Sequence, residues 1–158
     1  MKFKPEDDGE THYNIYSKGK TEYGRLLSNF AHTPFTCEDG YFASVEAYWY
    51  YLLTNNPKKE NLRSLHGFAA KKLGRELTMN LDWDEEDWFK TKIFNALRAK
   101  VDQNPSLKYL LATVKWLPFT HYYVYNGKVI EPKDGKWLLD YWAVLKYQVE
   151  IACTLTIN

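Results

Sequence analysis

The chain has 158 residues, which is the size of one domain. Its 21 basic and 20 acidic residues give a net charge of +1, which argues against a broad electrostatic coat for nucleic acid but leaves room for a local basic groove. No run approaches the ~20 apolar residues of a membrane span, and the first residues lack the apolar stretch of a secretory signal, so we expect a cytoplasmic protein with no membrane partner. Aromatic residues reach 17%, and their ring faces suit a pocket that stacks a base.

The first half of the chain predicts short strands followed by helices. Alternation predicts a strand at His12–Tyr16, and Asp39-Gly40 predicts a hairpin within Phe35–Phe42. Ser44 is a good N-cap for a helix from Val45 to about Leu53. Three further helices are predicted: one beginning at Pro57 and carrying Leu62 and Leu65, one over Phe68–Leu73 that Gly74 would end, and a long one that begins at the acidic run Asp84–Asp87.

The second half predicts two more helices and a hairpin. Asn104-Pro105 opens a helix, and the run Tyr122–Ile130 around Asn126-Gly127 is the clearest hairpin in the chain. A last helix is predicted over about Lys136–Val149. In the long helix that begins at Asp84–Asp87, Trp88 fits the spacing of the core residues. The sum is an α-rich α+β fold, a single compact domain over 1–158 with short β-hairpins and a core at about 13–149.

Common catalytic signatures are missing from the sequence. There is no G-x-G-x-x-G, Walker loop, G-x-S-x-G or H-E-x-x-H, and the four histidines are dispersed, so neither a zinc site nor another cofactor is expected. Cys37 and Cys153 lie far apart, which favours two free thiols and leaves one long-range disulfide open.

Glu46 is the first candidate catalytic residue, near the start of the helix that Ser44 would cap. A helix N-terminus favours its carboxylate, whereas enclosure by Trp49 and Tyr50 favours the protonated acid. Such a carboxyl could stabilise a cationic sugar transition state or orient water. The alternative is an exposed first-turn acid that only complements the helix dipole.

Several other side chains could bind a nucleotide, and each has a purely structural alternative. Asn29 suits a ribose or an amide, or it closes a turn. Phosphate candidates are Lys18, Lys20 and Arg25, which could equally form a solvated loop. A second basic group surrounds a helix end, where it forms a solvated face or complements the helix dipole: Lys71, Lys72 and Arg75. Trp83 or Trp88 could stack on a base, and His121 could serve as acid, base or phosphate donor.

Read in order, these segments resemble the NADAR (YbiA-like) N-glycosidases over about residues 13 to 149. No single motif is specific, but their order and spacing together are. The matching segments are Tyr16-Ser-Lys with Tyr23-Gly24, Leu27-Ser-Asn-Phe30, Phe35 to Glu46 with Asp39-Gly40 and Ser44, Ala70–Arg75, Asp82-Trp83, Ala96–Lys100 and Leu110–Thr113.

The resemblance implies a compact α+β fold and hydrolysis of N-glycosidic bonds to ribose. Some family members cleave riboflavin-pathway intermediates, and others remove ADP-ribose from guanine in DNA and so reverse a DarT-type toxin. The family's catalytic Glu falls on Glu46 and its active-site Trp on Trp83. Its Ser-Asn-Phe falls on Ser28, Asn29 and Phe30. A lysine in the loop after Tyr16, Lys18 or Lys20, could attack an opened ribose aldehyde.

The sequence departs from the family in three places. Two residues are inserted between Trp83 and the long helix, which leaves Trp88 open as the alternative to Trp83. Where many members have Glu-His and then Gln, this chain has Glu46-Ala47 and Tyr50. The late Asp-x-x-Trp-Gly segment is absent, and Leu117–Gly127 stands in its place. This leaves the second catalytic carboxylate unassigned: His121 is the first substitute, and Asp134 and Asp140 are the others.

The sequence therefore predicts a glycohydrolase that removes ADP-ribose from guanine in single-stranded or flipped DNA. Arg25, Asn29 and Arg75 would hold phosphate and ribose, and Trp83 or Tyr122 would stack on a base. Such an activity would serve as an antitoxin or counter-defence function, in the host cytoplasm if the protein is phage-encoded. Two alternatives stay open: a hydrolase of phosphoribosylamino-pyrimidines of riboflavin synthesis, and a non-catalytic binder of ADP-ribose or a similar nucleotide.

Overall fold

The computed structural model describes residues 3–78 and 81–157 and is an α+β fold of helices and short strands. In chain order, the elements are β1 (Tyr13–Asn14), α1 (Glu22–Leu27), β2 (Phe35–Cys37), β3 (Gly40–Phe42), α2 (Val45–Leu52), α3 (Gly67–Leu77), α4 (Asp87–Gln103), α5 (Pro105–Thr113), β4 (Phe119–Thr120), β5 (Tyr123–Tyr125), β6 (Lys128–Ile130) and α6 (Trp137–Ile157). Short 3₁₀ helices cover Pro5–Asp7, Pro57–Leu62 and Leu81–Glu85.

The chain divides into two structural units, where its length alone predicts one domain. The first unit joins the residues up to Ser28 with those from Pro105 onward, and the second is Asn29–Asn104. Among the helices in the described part of the chain, none is long and apolar enough to cross a membrane.

In the first unit, two distant strands are joined by a polar side chain. β1 pairs in parallel with β4, with Tyr13 opposite Phe119. Just beyond this pairing, the buried Asn14 side chain donates to the Tyr122 carbonyl and accepts from the Tyr122 N–H, both at 2.9 Å. The Asn14 amide thus extends the two-residue ladder with two further hydrogen bonds.

Helices α5 and α6 pack together in the same unit around a buried lysine. Lys146 donates to the carbonyls of Leu111 at 2.8 Å and Val114 at 2.5 Å, and it pairs with Glu150 at 2.8 Å. The ammonium satisfies carbonyls at the α5 C-terminus, where a positive charge also complements the helix dipole.

The second unit places α2 against both α3 and α4. The β2–β3 hairpin covers one side, and the rings of Phe35, Phe42 and Tyr48 pack at centroid distances of 4.6–6.0 Å. Ser44 caps α2, because its hydroxyl accepts the Ala47 N–H at 3.1 Å. This packing fixes the start of α2, where Glu46 lies.

Predictions that rested on local chemistry are confirmed. The first hairpin forms, with Glu38-Asp39 as its two-residue loop and Gly40 at φ +102°. The second hairpin turns at Asn126-Gly127, whose φ values of 50° and 74° fit a type I′ turn. Ser44 is the N-cap as predicted, and α5 begins at Pro105. Cys37 and Cys153 are both free thiols.

The predicted helix ends were wrong at two places. α3 does not stop before Gly74 but continues to Leu77, because Gly74 is a packing residue pressed against the Tyr50 ring. α6 continues eight residues past Val149, since no Gly or Pro interrupts it there.

Other predicted elements differ in kind or extent. The segment beginning at Pro57 is a 3₁₀ helix that ends at Leu62, and the first strand has only two residues, Tyr13–Asn14. α4 begins at Asp87, the last of the four acids. Trp88 was predicted to be in the core but is 43% exposed. It is the second residue of α4, and the buried face of that helix begins one residue later, at Phe89.

Candidate active site in the second unit

Glu46 is held where two helices begin. Its backbone N–H donates to the Asn29 carbonyl at 2.9 Å, and the Phe30 carbonyl accepts from the N–H of Gly67, the first residue of α3, at 3.0 Å. The Asn29-Phe30 segment therefore links the N-terminal ends of α2 and α3. Of the predicted site residues, the structure places Asn29 and Phe30 beside the start of the helix that carries Glu46.

The Glu46 carboxyl has an unusual titration. Burial raises its pKa from 4.5 to about 7, although the nearby positive charges of Lys71 and Arg75 act in the opposite direction. The residue as a whole is partly exposed, while its carboxyl lies in a largely desolvated position. A carboxyl that titrates near neutral pH is suited to give and take a proton.

This raised pKa predicts that Glu46→Gln stabilises the protein at high pH. The folded state binds this proton more tightly than the unfolded state. The contribution of Glu46 to the free energy of unfolding is therefore highest below pH 4.5 and falls as the pH rises to about 7. The loss is at most about 3 kcal/mol, and we expect about 1–2 kcal/mol because the side chain keeps some contact with water. Urea denaturation at pH 5 and pH 8 measures it.

The control for this titration is Glu22→Gln, which removes an exposed acid from the first turn of another capped helix, α1. Relative to wild type, the stability of the Glu46 variant should improve between pH 5 and pH 8, whereas that of the Glu22 variant should not. A constant difference for Glu46→Gln would mean that its carboxyl titrates normally.

Tyr50 lies one turn after Glu46 and completes the polar part of the site. Its hydroxyl is hydrogen-bonded to Arg75, and burial raises its pKa, as does the Glu46 charge to a smaller extent. Gly74 makes this position possible, because a Cβ there would lie 2.1 Å from Cγ of the Tyr50 ring. Tyr50 therefore positions the Arg75 guanidinium beside the carboxyl.

Two pairs of side chains near these helix ends were not predicted from the sequence. The Lys71 ammonium lies 5.8 Å from the centre of the Phe30 ring, in a cation–π arrangement. The exposed rings of His32 and His66 stack at 4.5 Å with an angle of 11°, and His66 is the N-cap residue of α3. Because the two histidines are far apart in sequence, no local pattern signals their pairing.

An aromatic cluster lies beyond Trp49, the residue that follows Glu46 by three positions. Trp49 packs edge-to-face on Phe89 at 4.8 Å, Phe89 contacts Trp88 at 5.9 Å, and Trp88 contacts Trp83 at 6.0 Å. Trp83 is half-buried and Trp88 is exposed. Both rings thus belong to one cluster, and the choice between them as the stacking residue stays a prediction.

Several predicted site residues belong to the first unit. Lys18 and Lys20 are exposed and line one cavity of about 330 Å³, and the Lys20 ammonium donates to the Glu6 carbonyl at 2.8 Å. The Arg25 guanidinium donates to the carbonyls of Gly19 at 2.8 Å and Lys20 at 3.0 Å. Arg25 therefore holds the lysine loop in place, and its predicted contact with phosphate stays a prediction.

The remaining predicted residues of this unit differ in accessibility. Ser28 is buried at the end of α1. His121 is exposed and donates from Nδ1 to the Ile15 carbonyl at 2.7 Å. Tyr122 is only 2% exposed, with its hydroxyl hydrogen-bonded to His12 Nε2 at 2.7 Å. The Tyr122 ring packs inside the unit and also lines the cavity beside Lys18 and Lys20, and its stacking on a base stays a prediction. Asp134 and Asp140 are exposed.

Comparison with known proteins identifies the fold. No protein-family model matches the chain, and no curated protein matches it. Among solved structures, the chain is similar to the NMR structure of the E. coli protein YbiA, with a TM-score of 0.69 and 22% identity over 92% of this chain and 88% of that one. The chain therefore has a YbiA-like fold, which confirms the α+β architecture that the sequence resemblance implied.

Proposed function

We propose that the protein is an N-glycosidase that releases ADP-ribose from guanine bases in DNA. The observation that carries this proposal is the placement of the Glu46 carboxyl at a capped helix start beside Lys71, Arg75 and Tyr50, where burial raises its pKa to about 7. The YbiA-like fold is consistent with the proposal. The resemblance of residues 13 to 149 to the NADAR N-glycosidases supports it independently.

The reaction requires a proton at one atom and stabilised charge at another. The bond between ribose C1 and the exocyclic nitrogen of guanine breaks more easily once that nitrogen is protonated, and protonated Glu46 is suited to donate this proton. The resulting Glu46 carboxylate then stabilises the positive charge that develops on the sugar. Water adds its hydroxyl to C1 and returns a proton to the carboxylate, which gives free ADP-ribose and unmodified guanine.

The neighbouring side chains fit the other parts of this substrate. Lys71 and Arg75 are separated by one helical turn, and their charges suit the diphosphate. Asn29 lies at the start of the site, where its amide would hydrogen-bond a ribose hydroxyl. The cluster of Trp83 and Trp88 offers ring faces to a base.

The decisive experiment is incubation with an oligonucleotide that carries ADP-ribose on guanine, followed by mass spectrometry of the DNA. The expected result is loss of the modification and release of ADP-ribose. Intact DNA after long incubation at high protein concentration would exclude the activity. Parallel reactions with a phosphoribosylamino-pyrimidine test the riboflavin alternative. Calorimetry with ADP-ribose identifies a protein that binds without turnover.

The lysine route needs its own test. If Lys18 or Lys20 attacks C1 of the ring-opened ribose, the C1–N bond to guanine breaks and guanine leaves as its free amine. The lysine nitrogen is then joined to C1 as an imine, which borohydride reduces to a stable amine. Mass spectrometry should then find the added mass on the peptide that contains these lysines. Unchanged peptide in an active reaction would assign the attack at C1 to water alone.

A further inference from the structure

The β5–β6 hairpin of the first unit exposes large side chains that a strand ordinarily packs away. Tyr125 is 64% exposed, Val124 50% and Tyr123 37%. Scattered single apolar residues on a surface need no explanation, but two exposed tyrosines on one face of a short strand indicate a contact surface.

The hairpin presents its two tyrosines on the same face. Side chains alternate along a strand, so Tyr123 and Tyr125 project together, about 7 Å apart along the strand. Their cross-strand partners are Ile130 and Lys128 respectively, which share that face. The separation is about twice the ~3.4 Å rise between stacked bases, so one base fits between the two rings. The Asn126-Gly127 turn fixes this arrangement before any ligand binds.

A cavity of about 330 Å³ continues this surface at the base of the hairpin. Tyr123 and Val124 line it together with Tyr16, Lys18 and Lys20. The cavity therefore adds another tyrosine and two exposed cations to the hairpin, whose own cation is Lys128.

The acidic side chain that lines the cavity is hydrogen-bonded to backbone N–H groups rather than to the ammonium groups of these lysines. Asp8 lines the cavity, but its two carboxylate oxygens accept backbone N–H groups of Asn14 at 3.0 Å and Lys20 at 2.9 Å. Glu6 and Asp7 lie near enough to act on the pKa of Tyr122. They limit the local positive charge, so rings rather than cations would supply most of the affinity.

From these observations we propose that the hairpin and its cavity bind single-stranded DNA by stacking bases on Tyr123 and Tyr125, with Lys18 and Lys128 on the phosphates. Aromatic platforms flanked by cations hold single strands in this way, and paired bases in a duplex are not free to stack on protein rings. The inference rests on the proposed function in taking DNA as the polymer.

The test is fluorescence anisotropy with unmodified, labelled oligothymidylate of about 12 nucleotides at low salt. Tyr123→Ala combined with Tyr125→Ala should weaken binding by about 10- to 100-fold, and Tyr125→Trp should keep it. Tyr147→Ala on α6 is the matched control, because that tyrosine is 60% exposed in the same unit and should not affect binding. Lys128→Gln should weaken binding and reduce the salt slope by about 0.7.

Three results would overturn the inference: no binding by the wild type, equal binding by the double tyrosine variant, or equal binding of a duplex. The glycosidase assay separates this inference from the proposed function. Oligothymidylate binding without ADP-ribose release would contradict the function and leave the hairpin surface standing. Release of ADP-ribose without oligothymidylate binding would contradict the hairpin surface alone. Thermal unfolding of each variant shows that the exposed substitutions leave the fold intact.

Discussion

Replacing Glu46 by Gln is expected to lower kcat for ADP-ribose release by about 10²–10⁴-fold. Glutamine keeps the size and hydrogen-bonding shape of the side chain, so substrate binding should change little. Its amide has no acidic proton to transfer to the leaving nitrogen and no negative charge to stabilise the sugar cation. Because the pKa of Glu46 is about 7, wild-type kcat/KM should fall as the pH rises through 7, where the acid form disappears.

The same variants used for stability supply the control. Glu22→Gln also removes an acid from the first turn of a capped helix, yet it should leave turnover unchanged. If both variants lose activity equally, the effect comes from the helix dipole or the net charge rather than from the site. Full turnover by Glu46→Gln would refute the mechanism and leave the enzyme class to be explained by another residue.

The sequence predicted those features of the fold that depend on a few adjacent residues. An Asn-Gly pair such as Asn126-Gly127 strongly favours one type of hairpin turn. A serine directly before a helix, such as Ser44, can accept a free backbone N–H of the first helical turn. Gly74 shows the limit of such reasoning. A glycine near a helix end resembles a helix stop, and only the ring of Tyr50 in the folded protein shows that it serves close packing instead.

Glu46 could be predicted from adjacent residues, whereas the side chains that contact one another over long sequence distances could not. Glu46 was found because a capped helix start beside aromatic residues is visible in the sequence. The stacking of His32 on His66 and the bond between Tyr50 and Arg75 arise from α2, α3 and the loop between α1 and β2 folding together, and no local spacing encodes them. The hydrogen bond between the Tyr122 hydroxyl and His12 is equally invisible in the sequence, because the two residues are 110 positions apart.

Gly74→Ala is expected to destabilise the protein by about 3 kcal/mol, at the upper end of overpacking. In an ordinary helix interior this change stabilises by about 1 kcal/mol. Here the new methyl group would lie 2.1–2.2 Å from two atoms of the Tyr50 ring, so the ring must move. Since Tyr50 holds Arg75, the variant should also raise KM for the ADP-ribosylated substrate. Urea denaturation and steady-state kinetics measure the two effects.

A second substitution tests whether the clash is the cause. Tyr50→Ala removes the ring and leaves space beside α3, so adding Gly74→Ala to that variant should stabilise it, by roughly 0.5–1 kcal/mol. The sign of the Gly74 effect therefore reverses with the residue at position 50. Destabilisation of similar size in both backgrounds would show that the backbone at Gly74, rather than the Tyr50 ring, demands glycine. The site would then depend on the course of α3 and not on this one contact between neighbouring helices.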